Sequence, residues 1–475
     1  MANLGVHVYE QATAVSVPVV ADVGIPYVVG TAPVHMAENP AKINTPVVVT
    51  SWDEAVEKLG FSYDWKKFTL CEFMYSHFQL FGCQPVVFCN VLDPTSAQTD
   101  AEEKDVDVSE HKAILPLTAI IDDQFAVKSG DSTLTVDEDY SVLYDENLDA
   151  CVVELLGDGT AYDTKTLTIT YREVKTDSVT VADIVMGVGQ ADACMTAAGV
   201  IPDLLCAPGW SHNSVVAAVM ATKAAGINGL FRAKALIDCD SGTDGVRQYS
   251  DLVAYKAKNN FVDENQVLCW PMVKLGDYAF HLSTQLAGLI AKVDTDNAGV
   301  PYESPSNKNL KMDTCCLEDG TEVNLTWDQV KLVAGSYGVV TALNFMGMGW
   351  VAKGNYTACY PSNTDVKDMF LCVSRMFDFV GNTLVKTFWS KLDKPTNRRL
   401  IDNILDTCNI WLAGLVGSEY LLGARAEMLD SENPLTDLMD GIIRIHIYMT
   451  PPAPAQEIDF TLEYDTAYVE SALAA

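Results

Sequence analysis

The spacing of hydrophobic and polar positions changes several times along this chain, and each change marks a different kind of structure. The first 35 residues read as extended chain. Val15, Val17 and Val19 alternate with Ser16, Pro18 and Val20, and Pro18, Pro26 and Pro33 oppose helix. Thr45 to Val49 reads as a short strand. Ser51 is a natural N-cap with Glu54 three residues on, so a helix is expected over Trp52–Leu59, stopped by Gly60. A second helix is expected near Cys71 to Phe81, with Phe73, Phe78 and Phe81 available for one face, and a buried strand over Pro85 to Val91.

The pattern shifts after Asp93-Pro94. Residues 99 to 110 are rich in Asp and Glu and read as a linker or exposed loop. Short alternating runs follow at Thr133 to Val136, Tyr140 to Tyr144, Cys151 to Leu156 and Thr166 to Tyr171, broken by turns such as Gly157-Asp158-Gly159. Close-spaced strands with Asp/Gly turns predict a small all-β insert.

From about residue 180 the reading is α/β. Val179 to Gly199 looks helical in its second half, Leu204 to Gly209 is a strand ending in a loop, and Ser214 to Ala225 is an Ala/Val-rich helix. Strands near Leu236 to Asp238 and Val267 to Pro271 continue the alternation, which predicts a largely parallel sheet covered by helices. Two long helices follow at Met369 to Phe388 and Leu400 to Leu415, with a strand at Arg444 to Met449 closed by Pro451, Pro452 and Pro454. Beyond those prolines, Ile458, Phe460, Leu462 and Tyr464 alternate strictly with Glu457, Asp459, Thr461, Glu463 and Asp465. That is an amphipathic strand, and it needs a neighbour. The neighbour is either this chain itself or another subunit, attached by strand addition.

Composition narrows the function classes. The chain has 475 residues, enough for about three domains, and 49% of them are hydrophobic, so it can bury sizeable cores. With 31 basic against 64 acidic residues the net charge is -33. That argues against a nucleic-acid binder, whose affinity comes from neutralising phosphates, and against an anionic membrane surface as partner. No secretory leader and no membrane-spanning apolar run are expected from the pattern. Thirteen cysteines without a Cys-x-x-Cys framework fit buried thiols in a reducing cytoplasm.

Catalytic and binding motifs are incomplete. Asp240-Ser241-Gly242 follows a strand and resembles the aspartate motif of subtilisins, but no His-Gly-Thr-His segment or Gly-Thr-Ser turn accompanies it. None of the histidines, His7, His35, His77, His111, His212, His281 and His446, has a partner at metal-ligand spacing. Asp294 to Gly299 begins like a calcium loop but places Pro305 where a glutamate is needed, so a turn is expected. Asp238, Asp240 and Asp244 form an equally unspecific acidic cluster, and Gly187-Val188-Gly189 lacks the third glycine of a dinucleotide fingerprint. No cofactor is expected.

Several segments, in order, resemble the tail sheath proteins of contractile phages and related bacteriocin-like and injection particles. They are Thr50 to Ala55 with Leu59-Gly60, Ala207 to Ser211, Leu286 to Asp294, Pro301 to Asn307, Gly335 to Val340, Gly349 to Thr357, Ser374 to Asp378, and Asp393 to Pro395. A clean glycine-rich signature is missing. The resemblance implies an α/β multidomain fold: an N-terminal arm (1–25), an N-terminal α/β part (26–94), a β-sandwich insert (95–180), a subtilisin-like central α/β domain without protease activity (181–355), an α+β C-terminal domain (356–454) and a C-terminal strand arm (455–475). It also implies a structural, non-enzymatic subunit that polymerises helically around an inner tail tube and contracts. Its expected partners are copies of itself, the tube protein, and baseplate and terminator proteins, with assembly in a bacterial cytoplasm and no nucleic acid or membrane insertion.

In that frame Val6, Val8, Val15, Val17, Val19, Ile458, Phe460, Leu462 and Tyr464 are expected strand contacts between subunits. Lys386, Lys391, Lys394, Arg398 and Arg399, a basic cluster in an acidic chain, are either a solvated helix end or a face for acidic tube groups. The rival readings are a hydrolase on the central α/β domain, and another self-assembling subunit that donates a strand.

Overall fold

The structure, a computed structural model, describes residues 18–145 and 148–474. Its main sheet begins with β1 (Pro26–Gly30), β2 (Val47–Val49) and β3 (Val86–Asn90). Eight short strands follow: β4 (Glu102–Ser109), β5 (Lys112–Pro116), β6 (Ala119–Ile120), β7 (Ala126–Ser129), β8 (Ser132–Thr133), β9 (Tyr140–Asp145), β10 (Ala150–Leu155) and β11 (Thr166–Glu173). The main sheet then resumes with β12 (Leu204–Cys206), β13 (Lys234–Asp238) and β14 (Gln266–Cys269). After a small sheet of β15 (Met272–Leu275), β16 (Tyr278–Phe280) and β17 (Thr314–Cys316), it ends with β18 (Val339–Asn344) and β19 (Trp350–Lys353). A separate hairpin-like pair, β20 (Gly423–Glu427) and β21 (His446–Thr450), lies near the C-terminus.

The main sheet has the order β19-β18-β14-β13-β12-β1-β3-β2. It is parallel from β18 through β3 and antiparallel at both edges. Successive residues of its strands feed opposite cores. Val28, Phe88, Leu236 and Val267 face one core, while Tyr27, Val87, Ile237 and Leu268 face the other. Burial on both sides explains why these strands read as unbroken apolar runs. The first face is covered by α1 (Trp52–Leu59), by α2 (Thr69–Met74) with its π-helical continuation Tyr75–Phe81, and by a helix over Leu282–Asp296. The opposite face is covered by helices Val181–Gly189, Ser214–Ala225 and Leu252–Lys258.

Local signals placed several of these elements. Ser51 accepts from the Glu54 amide at 3.2 Å, while the Glu54 carboxylate reaches one residue further back, to the Thr50 amide at 2.7 Å. Gly60 closes the helix at φ 71°, where a Cβ would lie 2.4 Å from the Pro33 carbonyl oxygen. The helix expected only in the second half of 179–199 starts earlier, at Val181, because Asp183 caps the Thr180 amide and hydroxyl. The extended start hides the central strand β1, which the polar/apolar pattern gave no reason to separate from its neighbours.

The acidic stretch 99–110 is not a loop: it contains β4, paired with β11 and β5. Lys104, Val106 and Val108 face inward while Glu103, Asp105 and Asp107 stay exposed, so the charges occupy one side of a period-two strand. The ladders of the insert run as one antiparallel path, β8-β7-β11-β4-β5-β10-β9, around a core that includes Leu115, Val127, Cys151, Val153, Leu167 and Ile169.

The last third is built on two long helices, Leu371–Phe388 and Arg398–Gly417, which pack with β20 and β21 around Met376, Phe379, Leu412 and Leu415. The first of these helices meets the central sheet through charged groups. Arg375 reaches Asp203 at 2.6 Å and Asp294 at 2.5 Å, and Lys234 reaches Asp378 at 2.8 Å.

Candidate functional site

The residues expected from the sequence to contact other subunits or a tube lie at the chain ends and around the turn between the two long helices. Val6, Val8, Val15 and Val17 lie outside the described residues. Val19 is described and is half exposed, at 53%. Its amide donates to the Thr387 hydroxyl at 3.0 Å, and the Ala21 amide donates to the Thr383 hydroxyl at 3.0 Å. Ile25 then donates to Asp203 at 2.8 Å, and the chain enters β1.

At the other end the expected strand does not form within the described chain. Residues 451–465 belong to no element, and a short helix, Ala467–Leu473, follows. Ile458 is 72% exposed, Phe460 86%, Leu462 95% and Tyr464 78%. The intramolecular pairing left open by the sequence is therefore absent among the described residues: the alternation is present without a ladder to stabilise it. The pair β20–β21 has only two strands, held to the second long helix by Asn409, whose side chain bonds both the Ala426 amide and carbonyl.

The five basic residues separate into two groups. Lys386 turns toward the N-terminal segment and contacts Asp22 and the Val20 carbonyl, both at 3.2 Å. Lys391, Lys394, Arg398 and Arg399 gather around the turn between the helices, where Asn397 caps the second by accepting from the Leu400 amide. Arg398 is 93% exposed and meets Asp402 at 3.8 Å. Contacts of that kind contribute little to stability and leave the charge available.

The cleft at the carboxyl ends of β1, β12 and β13 is where a ligand of an open α/β sheet would sit. It measures about 530 Å³ and is lined by Thr31, Trp210, Asp238, Ser241 and His281 among others. Several of its polar groups are spent on one another. Ser211 donates its hydroxyl to Asp238 at 3.0 Å and accepts from the Asp238 amide at 3.0 Å. Ser283 bonds the same carboxylate through its hydroxyl and its amide. His281 faces Glu72, with Nδ1 at 2.8 Å. Burial pushes this imidazole down, but the Glu72 carboxylate overrides it, with smaller help from Asp238 and Glu318, and holds it up at about 9. Ser211 and His281 are thus held by different carboxylates, Asp238 and Glu72. Asp294, the first residue of the calcium-like segment, is committed to Arg375. Among the described residues no group of three or more His, Cys, Asp or Glu could hold a metal ion, and no helix is long and apolar enough to cross a membrane. All thirteen cysteines are buried, and burial pushes the thiols up, to about 11 at Cys83, Cys89, Cys372 and Cys408.

The chain is 25% identical over 468 residues to the tail sheath protein of Burkholderia phage BcepMu, across 93% of this chain and 92% of that protein. Its sequence is thus similar to that of a tail sheath protein over almost the whole chain. No protein-family model matches the chain. The fold agrees over nearly the whole length with two solved sheaths. One is the helical sheath of the anti-feeding prophage in its contracted state, with TM-score 0.58, 15% identity, 98% of this chain and 100% of that chain covered. The other is the sheath complex of the extracellular contractile injection system PVC, also contracted, with TM-score 0.58, 13% identity, 98% and 99% covered.

Sequence reasoning missed three features of the chain: Arg375 with its two carboxylates, the threonine pair Thr383 and Thr387, and the contact of Lys386 with the N-terminal segment. Thr383 and Thr387 stand one helical turn apart, a visible spacing, but their partners are about 365 residues away in sequence.

Proposed function

We propose that this chain is the sheath subunit of a contractile particle: it polymerises helically around an inner tail tube and contracts to drive the tube through a cell envelope. The observation that carries this reading is the segment Ile458 to Tyr464, which has the alternation of a strand, four large apolar side chains in solvent, and no ladder on its own chain among the described residues. Such a segment is completed by joining a neighbour's sheet. Val6, Val8, Val15, Val17 and Val19 at the other end belong to the same proposal. The arms link adjacent subunits while rings rotate and slide, and contraction runs from a metastable extended polymer to one with more buried interface. The central domain is read as subtilisin-like and inactive, which the parallel sheet and the occupied Ser211–Asp238 pair support. Baseplate and terminator proteins are the expected partners at the polymer's ends, and assembly takes place in the host cytoplasm.

Negative-stain microscopy of the full chain beside a version ending at Pro454 tests the reading. Hollow striated tubes from the full chain, lost on truncation, support it. Compact monomers from the full chain even when the tube protein is supplied overturn it. Tube contact is assigned to the basic residues around this turn, Lys391, Lys394, Arg398 and Arg399, of which the last three are exposed. Arg398→Glu with Arg399→Glu should weaken assembly on the tube and spare polymers made of sheath alone; unchanged assembly on the tube removes this face from consideration.

A further inference from the structure

The helix Leu371–Phe388 carries two sets of contacts along its length. In its last turn Thr387 accepts from the Val19 amide, Thr383 accepts from the Ala21 amide, and Lys386 reaches the Val20 carbonyl and Asp22. Four consecutive residues of an extended segment are thus held by side chains of one helical turn, and Ala21 is 4% exposed there. Earlier along the helix Arg375 joins Asp203 and Asp294, Asp378 joins Lys234, and Asn382 exchanges hydrogen bonds with the Arg232 backbone. The segment Val19 to Ile25 leads directly into β1, whose neighbours are β12 and β3, so β1 lies in the middle of the main sheet.

We propose that Thr383, Lys386 and Thr387 form a clamp that takes tension on the N-terminal segment and passes it to this helix, and so to the sheet at several ion pairs, instead of letting it fall on β1. A pull on an unclamped segment acts first on Ile25 and then on the end of the central strand, peeling its ladders one at a time. With the clamp closed, hydrogen bonds and an ion pair loaded together must yield first. Lys386 is on this account an arm-positioning residue and not part of the tube-facing cluster. The inference rests on the reading of the N-terminal segment as an arm that bears load between subunits.

The test is force spectroscopy on single chains, which is independent of whether the chain polymerises. One handle is attached at the N-terminus and the other at a cysteine introduced by Met186→Cys, a position 53% exposed on a helix of the central domain. The first event expected is release of residues 18–25, a gain of at most about 27 Å at ~3.4 Å per residue, less the span the segment already covers. In the double variant Thr383→Val and Thr387→Val, which keeps side-chain shape, the force of that event should fall by about half or more, with later unfolding unchanged. Lys386→Met, which leaves both hydroxyls, should give a smaller drop. An unchanged first rupture in both variants overturns the proposal, as does a wild-type first event long enough to include β1.

Discussion

Arg375 takes its charge into the interior, where it is 4% exposed, because two carboxylates from distant parts of the chain meet it there. Burial pushes the Asp294 carboxyl up and the guanidinium pulls it back, so neither partner is comfortable alone. Arg375→Met should therefore cost about 3–5 kcal/mol in denaturant unfolding, the usual result of leaving buried charge unpaired. Adding Asp203→Asn and Asp294→Asn to the same chain should recover part of the loss; no recovery would mean that packing, not charge, sets the penalty. His77 makes the opposite kind of statement. It is wholly buried, neither ring nitrogen has a partner among the described residues, it stacks on Phe73 at 5.3 Å, and burial pushes it down to about 3. The folded chain cannot take up a proton that the unfolded chain binds near 6.5, so this site's contribution is complete above about pH 6.5 and is lost as pH falls toward 3. His77→Phe should flatten the decline in stability between pH 6.5 and 4 relative to wild type, read from urea midpoints; parallel profiles would assign the acid sensitivity elsewhere. Nothing in the sequence around His77 marks it as buried, since its environment comes from strand and helix neighbours packed over it.

Elements were legible where a residue and its local partner share a few positions of sequence. Ser51, Glu54 and Gly60 gave the first helix its ends, and the apolar stripes of the two C-terminal helices gave theirs. What the sequence hid depended on the third dimension. The acidic strand β4 looked like loop because its charges sit on the solvent side of a sheet whose other strands come later in the chain. The C-terminal alternation was readable, but strand formation requires a ladder, and the single chain supplies none among its described residues. Close helix contact is another such case. Gly288, inside the helix Leu282–Asp296, faces the π-helical segment so closely that a Cβ would lie 2.4 Å from Phe81 Cδ2. Gly288→Ala should destabilise by about 1–3 kcal/mol despite alanine's better helix propensity, because the Phe81 ring must move. Adding Phe81→Leu should relieve much of it; an alanine variant at least as stable as wild type would show that the ring gives way freely.

For the molecule as a whole the dominant quantity is a net charge of -33 on every copy. Copies that pack side by side repel one another, and the repulsion is screened over about 8 Å at physiological ionic strength. Raising salt from about 50 to about 500 mM should favour polymers of the chain alone while weakening attachment to an acidic tube face through Arg398 and Arg399. Turbidity and sedimentation of the two reactions, run side by side, should move in opposite directions. If both weaken with salt, attraction between opposite charges, and not relief of repulsion, governs contact between copies. The overall α/β character and the sheath resemblance could be read in the sequence because they depend on many weak segments in order. The placement of tethers and ion pairs could not, because each depends on one long-range pair.

The thirteen buried thiols give the chain a built-in clock. A colourless thiol reagent that turns coloured on reaction finds nothing to attack while the fold is closed, so its signal counts openings. Run on free subunits, on extended polymers and on contracted ones, the same reagent would time how long each form stays shut, without a label or a probe added to the protein.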